Sequence, residues 1–179
     1  YVYYQRSVQI PAESIACLDF IYREAFGHQP MALREDFCGT AAVSCAWVTS
    51  DAGRTAIGVD LDPEPVDWGR AHNLVQLDEN ARGRIQLIEG DVRTVRTGPI
   101  DLIAAENFSV MALDSREKLL AYLRGAYRAL NTPGLISVDL FWGPCHTVTS
   151  RMSGSSWPTI QYSVGLTAVS ISFWRMGIG

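Results

Sequence analysis

The chain has 179 residues with 15 Lys+Arg against 19 Asp+Glu, a net charge of −4. That length suits one domain of roughly 100–200 residues, and 47% hydrophobic with 19% charged residues excludes a disordered or fibrous chain. No apolar run reaches the ~20 residues of a membrane span, no signal-peptide pattern opens the chain, and mild acidity gives no basis for a nucleic-acid or anionic-membrane partner. Residues 11–26 read as a helix, with Pro11 early, Ile15, Leu18, Ile21, Tyr22 and Ala25 on one face, and Gly27 as the stop. Strands are expected at Met31–Arg34, Thr55–Val59, Arg84–Ile88, Ile100–Ala105 and Leu135–Phe141, apolar enough for parallel strands buried on both faces. Between them, Thr40–Thr49 forms a small apolar helix, and Asp62 with Pro63 starts another that turns Val66, Ala71, Leu74 and Val75 inward. Ser115–Leu130 is the most periodic helix, ended by Asn131-Thr132-Pro133-Gly134. Such alternation predicts a Rossmann-like, doubly wound α/β fold with a mostly parallel sheet.

All 19 acids lie between Glu13 and Asp139, whereas the last 40 residues hold only Arg151 and Arg175 as charges. The expected organisation is a cap segment and helix at 1–29, an α/β domain at 30–143 and an atypical tail at 144–179. The opening at Tyr1 rather than Met leads us to expect that the natural N-terminus lies upstream. Cys17, Cys38, Cys45 and Cys145 form no CxxC and no cluster with the three histidines. The expectation is no metal, reduced thiols and a cytoplasmic protein.

Ligands of open parallel sheets sit outside the carboxyl ends of the strands, at the switch point. After the first strand comes Glu35-Asp36-Phe37-Cys38-Gly39-Thr40-Ala41, an acid and a glycine turn running into a helix. Its N–H groups and the helix dipole are suited to a polar or anionic ligand group. Asp60, 21 residues beyond Gly39, stands where a carboxylate takes both ribose hydroxyls. Asp62 fits the helix cap better, which leaves Asp60 free. After the third strand, Asp91 can accept from an adenine amino group while Val92 packs on the ring. After the fourth, Glu106, Asn107 and Phe108 line the space between cofactor and substrate.

These motifs in their order, with Ile100-Asp101-Leu102-Ile103 and the Leu130–Gly134 corner, resemble the class I S-adenosylmethionine-dependent methyltransferases. Leu33–Ala41 is similar to bacterial methyltransferase-domain proteins with an LREDFCGTA first motif, and the likeness covers about residues 1–143. The resemblance implies S-adenosyl-L-methionine as cofactor. It assigns Glu35, Phe37, Cys38, Gly39 and Thr40 to the first motif, with the Phe37–Ala41 turn facing the methionine part. Asp60 is assigned to the ribose, Leu61, Asp91 and Val92 to the adenine, and Glu106 and Asn107 to the post-fourth-strand motif. A sixth strand and an antiparallel seventh are still required, and the tail offers Ile160/Tyr162/Val164 and Val169/Ile171/Phe173. Those forty residues read either as that hairpin or as a truncated or out-of-frame stretch. The chain departs from the family at Phe37 and Ala41, which stand where glycines are usual, so Phe37 is expected to press on the cofactor or redirect the loop. One glycine of three also disfavours a nicotinamide dinucleotide, whose pyrophosphate needs all three.

Methyl transfer needs alignment more than a protein nucleophile. Glu106, Asn107 and His146 are the catalytic candidates, with Glu106 or His146 as base where the acceptor is protonated. His28 and His72 read as structural, and Tyr3, Tyr4 and Arg6 read either as a lid or as a disordered end. Ala105–Ser109 lacks an Asn-Pro-Pro-Tyr pattern. The expected acceptor is therefore a small molecule, with a protein side chain next and no nucleic acid. The alternative is a cofactor-binding domain without turnover, either a pseudoenzyme or a truncated copy.

Overall fold

The computed structural model describes residues 1, 10–141, 161–164 and 168–175. Helix α1 spans Pro11–Phe26 and buries Ile15, Leu18 and Tyr22. Gly27 ends it in the left-handed conformation and returns its N–H to the Arg23 carbonyl, as a C-terminal glycine should. The parallel strands follow as β1 (Ala32–Asp36), β2 (Thr55–Asp60), β3 (Ile85–Glu89), β4 (Ile100–Ala105) and β5 (Leu130–Phe141). Helix α2 (Ala42–Ser50) joins β1 to β2, and α3 (Pro63–His72) follows β2. The Asp62 carboxylate caps α3 by accepting from Glu64 N–H.

Two strand boundaries and one short helix depart from expectation. Strand β1 carries on through Glu35 and Asp36, and β5 begins at Leu130, directly where α5 (Arg116–Ala129) stops. A four-residue helix α4 (Glu79–Arg82) was not foreseen; its signal is Asp78, whose carboxylate accepts from Ala81 N–H at 2.7 Å. Ser115, the first residue of the expected helix, caps α5 by accepting from Lys118 N–H.

In the tail, β6 (Gln161–Val164) and β7 (Ala168–Arg175) continue the sheet, with β7 antiparallel to both β5 and β6. The strand order is β3-β2-β1-β4-β5-β7-β6. From β1 the chain steps outward through β2 and β3, then crosses to β4 and β5 on the other side. The order therefore reverses at β1 and β4, and their carboxyl ends form the crevice.

Side-chain alternation along the strands divides the core. Leu33, Leu102, Ala104 and Leu135 face α1 and α2, where they meet Leu18, Tyr22, Val43, Trp47 and Val48. Ile103, Ala105, Ile136 and Val138 face the other way, towards Tyr122 and Ala126 of α5. At the start of β4, Ile100 packs with the second cluster beside Leu130, where the pairing with β5 shifts register. Asp101 pins the amino-terminal edge, accepting from the Met31 and Ala32 N–H groups at 2.8 and 2.9 Å and from the Asn131 amide.

Candidate functional site: the carboxyl edge of the sheet

Strand β1 carries three charged residues into the middle of the sheet, and each is accounted for. Glu35 lies on the α2 side, 3% exposed. Its Oε2 accepts from Ser44 N–H at 2.8 Å and from the Ser44 hydroxyl at 2.5 Å. The carboxylate therefore occupies the amino terminus of α2, which has no other side-chain cap. Burial pushes the Glu35 carboxyl up to about 7, although the Ser44 and Val43 hydrogen bonds act in the opposite direction. Arg34 and Asp36 lie on the α5 side, both fully buried, joined by parallel hydrogen bonds of 2.8 and 2.7 Å. Burial drives the Asp36 carboxyl upward, with the Arg34 charge working against it.

The turn after β1 has positive φ at Phe37 (57°), Gly39 (51°) and Ala41 (56°). These are the three positions where glycines were expected, so the left-handed backbone persists although two side chains are present. The Phe37 ring packs beside Tyr122 of α5, centroids 5.9 Å apart, while Cys38 and Ala41 pack with Val66 of α3. Burial drives the Cys38 thiol far above its usual range. The Thr40 carbonyl is held by the Asn73 amide at 2.8 Å, and a Cβ on Gly69 would run into that same carbonyl.

The expectation that the turn offers free N–H groups is corrected. Cys38 N–H goes to the Val59 carbonyl, Gly39 N–H to Asp60 Oδ2 at 2.7 Å, and Ala41 N–H to the Cys38 carbonyl. With Glu35 on the Ser44 N–H of the helix terminus, four backbone donors that could hold a pyrophosphate are already used. Gly39 itself borders open space, since a Cβ there would meet no atom within 4 Å.

Asp60, at the end of β2, is also less free than expected. Its Oδ2 takes Gly39 N–H and its Oδ1 takes Asp62 N–H at 3.0 Å. Each carboxylate oxygen retains a second lone pair, so these bonds orient Asp60 without exhausting it. Leu61 beside it is 69% exposed. After β3, the Asp91 carboxylate is gripped by the Arg93 guanidinium and accepts Arg93 N–H at 2.9 Å. Those side-chain hydrogen bonds hold Asp91 below its ordinary range. Val92 is 4% exposed and packs in the core with Val59 and Ile103. It does not present a face to the crevice.

After β4, Asn107 and Phe108 both adopt positive φ, 56° and 58°, and Asn107 N–H reaches Asp139 Oδ2 of β5 at 3.3 Å. Backbone strain of this kind concentrates at ligand sites. Burial raises the Glu106 carboxyl well above its usual range, reinforced by Asp139 and then Glu35. Burial, with Glu106 and Asp139 behind it, also raises the Cys17 thiol of α1. Each of the five parallel strands thus brings an acid to this edge: Asp91, Asp60, Glu35, Glu106 and Asp139 in sheet order. Asp139 was not singled out in the sequence; its signal is its place near the end of the fifth parallel strand.

The other expected residues lie apart from this edge or outside it. His72 stacks on Trp68 at 4.3 Å and His28 contacts the Gln29 carbonyl. His146, Cys145, Tyr3, Tyr4 and Arg6 fall outside the described residues. Among the described residues no His/Cys/Asp/Glu group is arranged to hold a metal, and no helix is long and apolar enough to cross a membrane. An apolar groove of about 650 Å³ lies between α1, α2 and Asn73–Leu77. Its lining includes none of the strand-end acids.

No protein-family model matches the chain, and no curated protein sequence does. Solved structures do. CalS10 of Micromonospora echinaspora, an amino pentose methyltransferase with SAM bound, is 15% identical with a TM-score of 0.65, over 98% of this chain and 80% of its own. The plantazolicin methyltransferase BpumL, in complex with a desmethyl plantazolicin analogue and SAH, is 13% identical with a TM-score of 0.60. That match covers 77% of this chain, which spans about half the length of BpumL. A conserved hypothetical protein of Streptococcus pyogenes is 11% identical with a TM-score of 0.58, over 89% and 96% of the two chains. The sheet order, the crevice at β1 and β4 and these likenesses together show that the chain has the class I methyltransferase fold.

Proposed function

We propose that the chain binds S-adenosylmethionine at the carboxyl edge of its sheet and transfers the methyl group to a small-molecule acceptor. The observation that carries this reading is Glu35 on the amino terminus of α2. A carboxyl there, with its folded-state value at about 7, and the Cys38, Gly39 and Ala41 N–H groups bonded within the protein, take donors a pyrophosphate would need and, once ionised, suit a ligand that is cationic at its sulfonium and ammonium groups. The cofactor, when bound, supplies a methyl group on sulfur that an in-line nucleophile displaces. Asp60, oriented by Gly39 and Asp62, receives the ribose hydroxyls, and exposed Leu61 covers one face of the adenine. Asp91 and the Val92 backbone stand at the adenine edge. Gly39 leaves room for the methionine part, while Phe37, Cys38, Thr40 and Glu35 set the turn from behind. Glu106 and Asn107 face the acceptor, and Glu106, with its raised affinity for a proton, is placed to accept one from a protonated nucleophile.

The neighbours support a small acceptor, since CalS10 is an amino pentose methyltransferase and BpumL acts in plantazolicin methylation. Calorimetric titration of the full chain with S-adenosylhomocysteine and with NAD tests the reading. Saturable binding of the first is expected, and Asp60→Ala should weaken it at least tenfold, about 1.4 kcal/mol. NAD binding without any response to S-adenosylhomocysteine would overturn the proposal.

A further inference from the structure

A second concavity, about 470 Å³, opens on another part of the molecule, between the segment joining β3 to β4 and the last turns of α5. Arg93, Thr94, Arg96 and Thr97 line one wall, and Gly125 and Arg128 the other. No carboxylate lines it, in a chain where acids outnumber bases. Arg93 is committed to Asp91. Arg96 and Arg128 are exposed, and among the described residues neither enters an ion pair. Arginines lining one cleft with no carboxylate among them give it a net positive surface that favours an anion.

The walls hold their spacing. Gly125 brings α5 against the Arg93 carbonyl, where an added Cβ would sit 3.2 Å from the oxygen. Thr97 Oγ1 accepts from Arg34 Nη1 at 3.4 Å, which leaves its own proton for a partner in the groove. The lining therefore combines the arginines Arg96 and Arg128 with a threonine hydroxyl, and no carboxylate. That set matches phosphate oxygens, which take paired hydrogen bonds from arginine. The volume falls in the roughly 300–1,000 Å³ range of small-molecule sites, which gives room for a phosphate ester and not only for a bare ion.

We infer that this groove is a binding site for a phosphorylated small molecule, held by Arg96 and Arg128. The test is calorimetric titration of the full chain, at about 0.15 M salt, with ribose 5-phosphate, inorganic pyrophosphate and a short single-stranded RNA. Saturable one-to-one binding of ribose 5-phosphate is expected. The double variant Arg96→Ala/Arg128→Ala should bind it at least tenfold more weakly, with an unchanged thermal melt because both side chains are exposed. Pyrophosphate binding without ribose 5-phosphate binding would make the ligand a free inorganic anion and overturn the assignment. So would RNA binding tighter than either phosphate probe, or undiminished binding by the double variant.

Discussion

Replacing Glu35 by Gln isolates the energetics of the carboxylate that caps α2. The amide keeps the side chain's shape but cannot titrate. In the parent, burial raises the Glu35 carboxyl from 4.5 to about 7. Between those values the folded chain holds a proton that the unfolded chain has lost. The stability contributed by the neutral acid is full below pH 4.5 and is lost as pH rises towards 7. One proton corresponds to about 1.4 kcal/mol per pH unit, so the window removes about 3 kcal/mol. Urea unfolding of parent and variant at a series of pH values between 4.5 and 8 gives the difference in unfolding free energy directly. That difference should move by about 3 kcal/mol in the variant's favour as pH rises. A constant offset reports only the altered hydrogen bonds to Ser44 and leaves the slope as the readout. A difference that does not change with pH would refute the account of Glu35 as a buried, proton-holding cap.

Two further outcomes follow from the same edge. Asp36→Asn strips the countercharge from Arg34 at a site with no solvent, and should cost about 3–5 kcal/mol in chemical denaturation. The paired change Arg34→Met/Asp36→Leu should cost less than the single one, and a single-variant loss under about 1 kcal/mol counts against the buried pair. Binding of a cationic cofactor beside Glu106 should release protons, because a nearby positive charge favours the ionised carboxyl. Calorimetry in buffers of different ionisation enthalpy should register that release, with affinity increasing as pH rises above the ordinary carboxylate range. Proton uptake instead would remove Glu106 from the cofactor's surroundings.

Much of this architecture was readable in the residues. The alternation of short apolar runs with helical stripes located all five parallel strands, and Asp62-Pro63 and Gly27 marked helix ends correctly because caps act locally. Strand β1 was cut short at Arg34 because charges argue against a buried strand when read singly. The relevant signal was pairwise: Arg34 and Asp36 are two apart, hence on one face, and of opposite sign. Glu35 was visible as an acid at a strand end, but its role as the cap of α2 depends on where Ser44 arrives in space. Likewise the spacing from Gly39 to Asp60 was legible while the hydrogen bond between them was not. Composition also failed to show that Val92 turns inward, since an isolated valine after a strand carries no facing information.

The turn after β1 has a consequence for how a ligand is received. Three glycines in such a loop leave it conformationally loose until something binds. Here Phe37 is anchored against Tyr122 on one side of the sheet, and Cys38 with Ala41 against Val66 on the other. The loop is thereby fixed during folding, and the strain of its left-handed residues is carried by the two cores. A ligand binding here is expected to meet a preformed surface and to lose little affinity to ordering the protein.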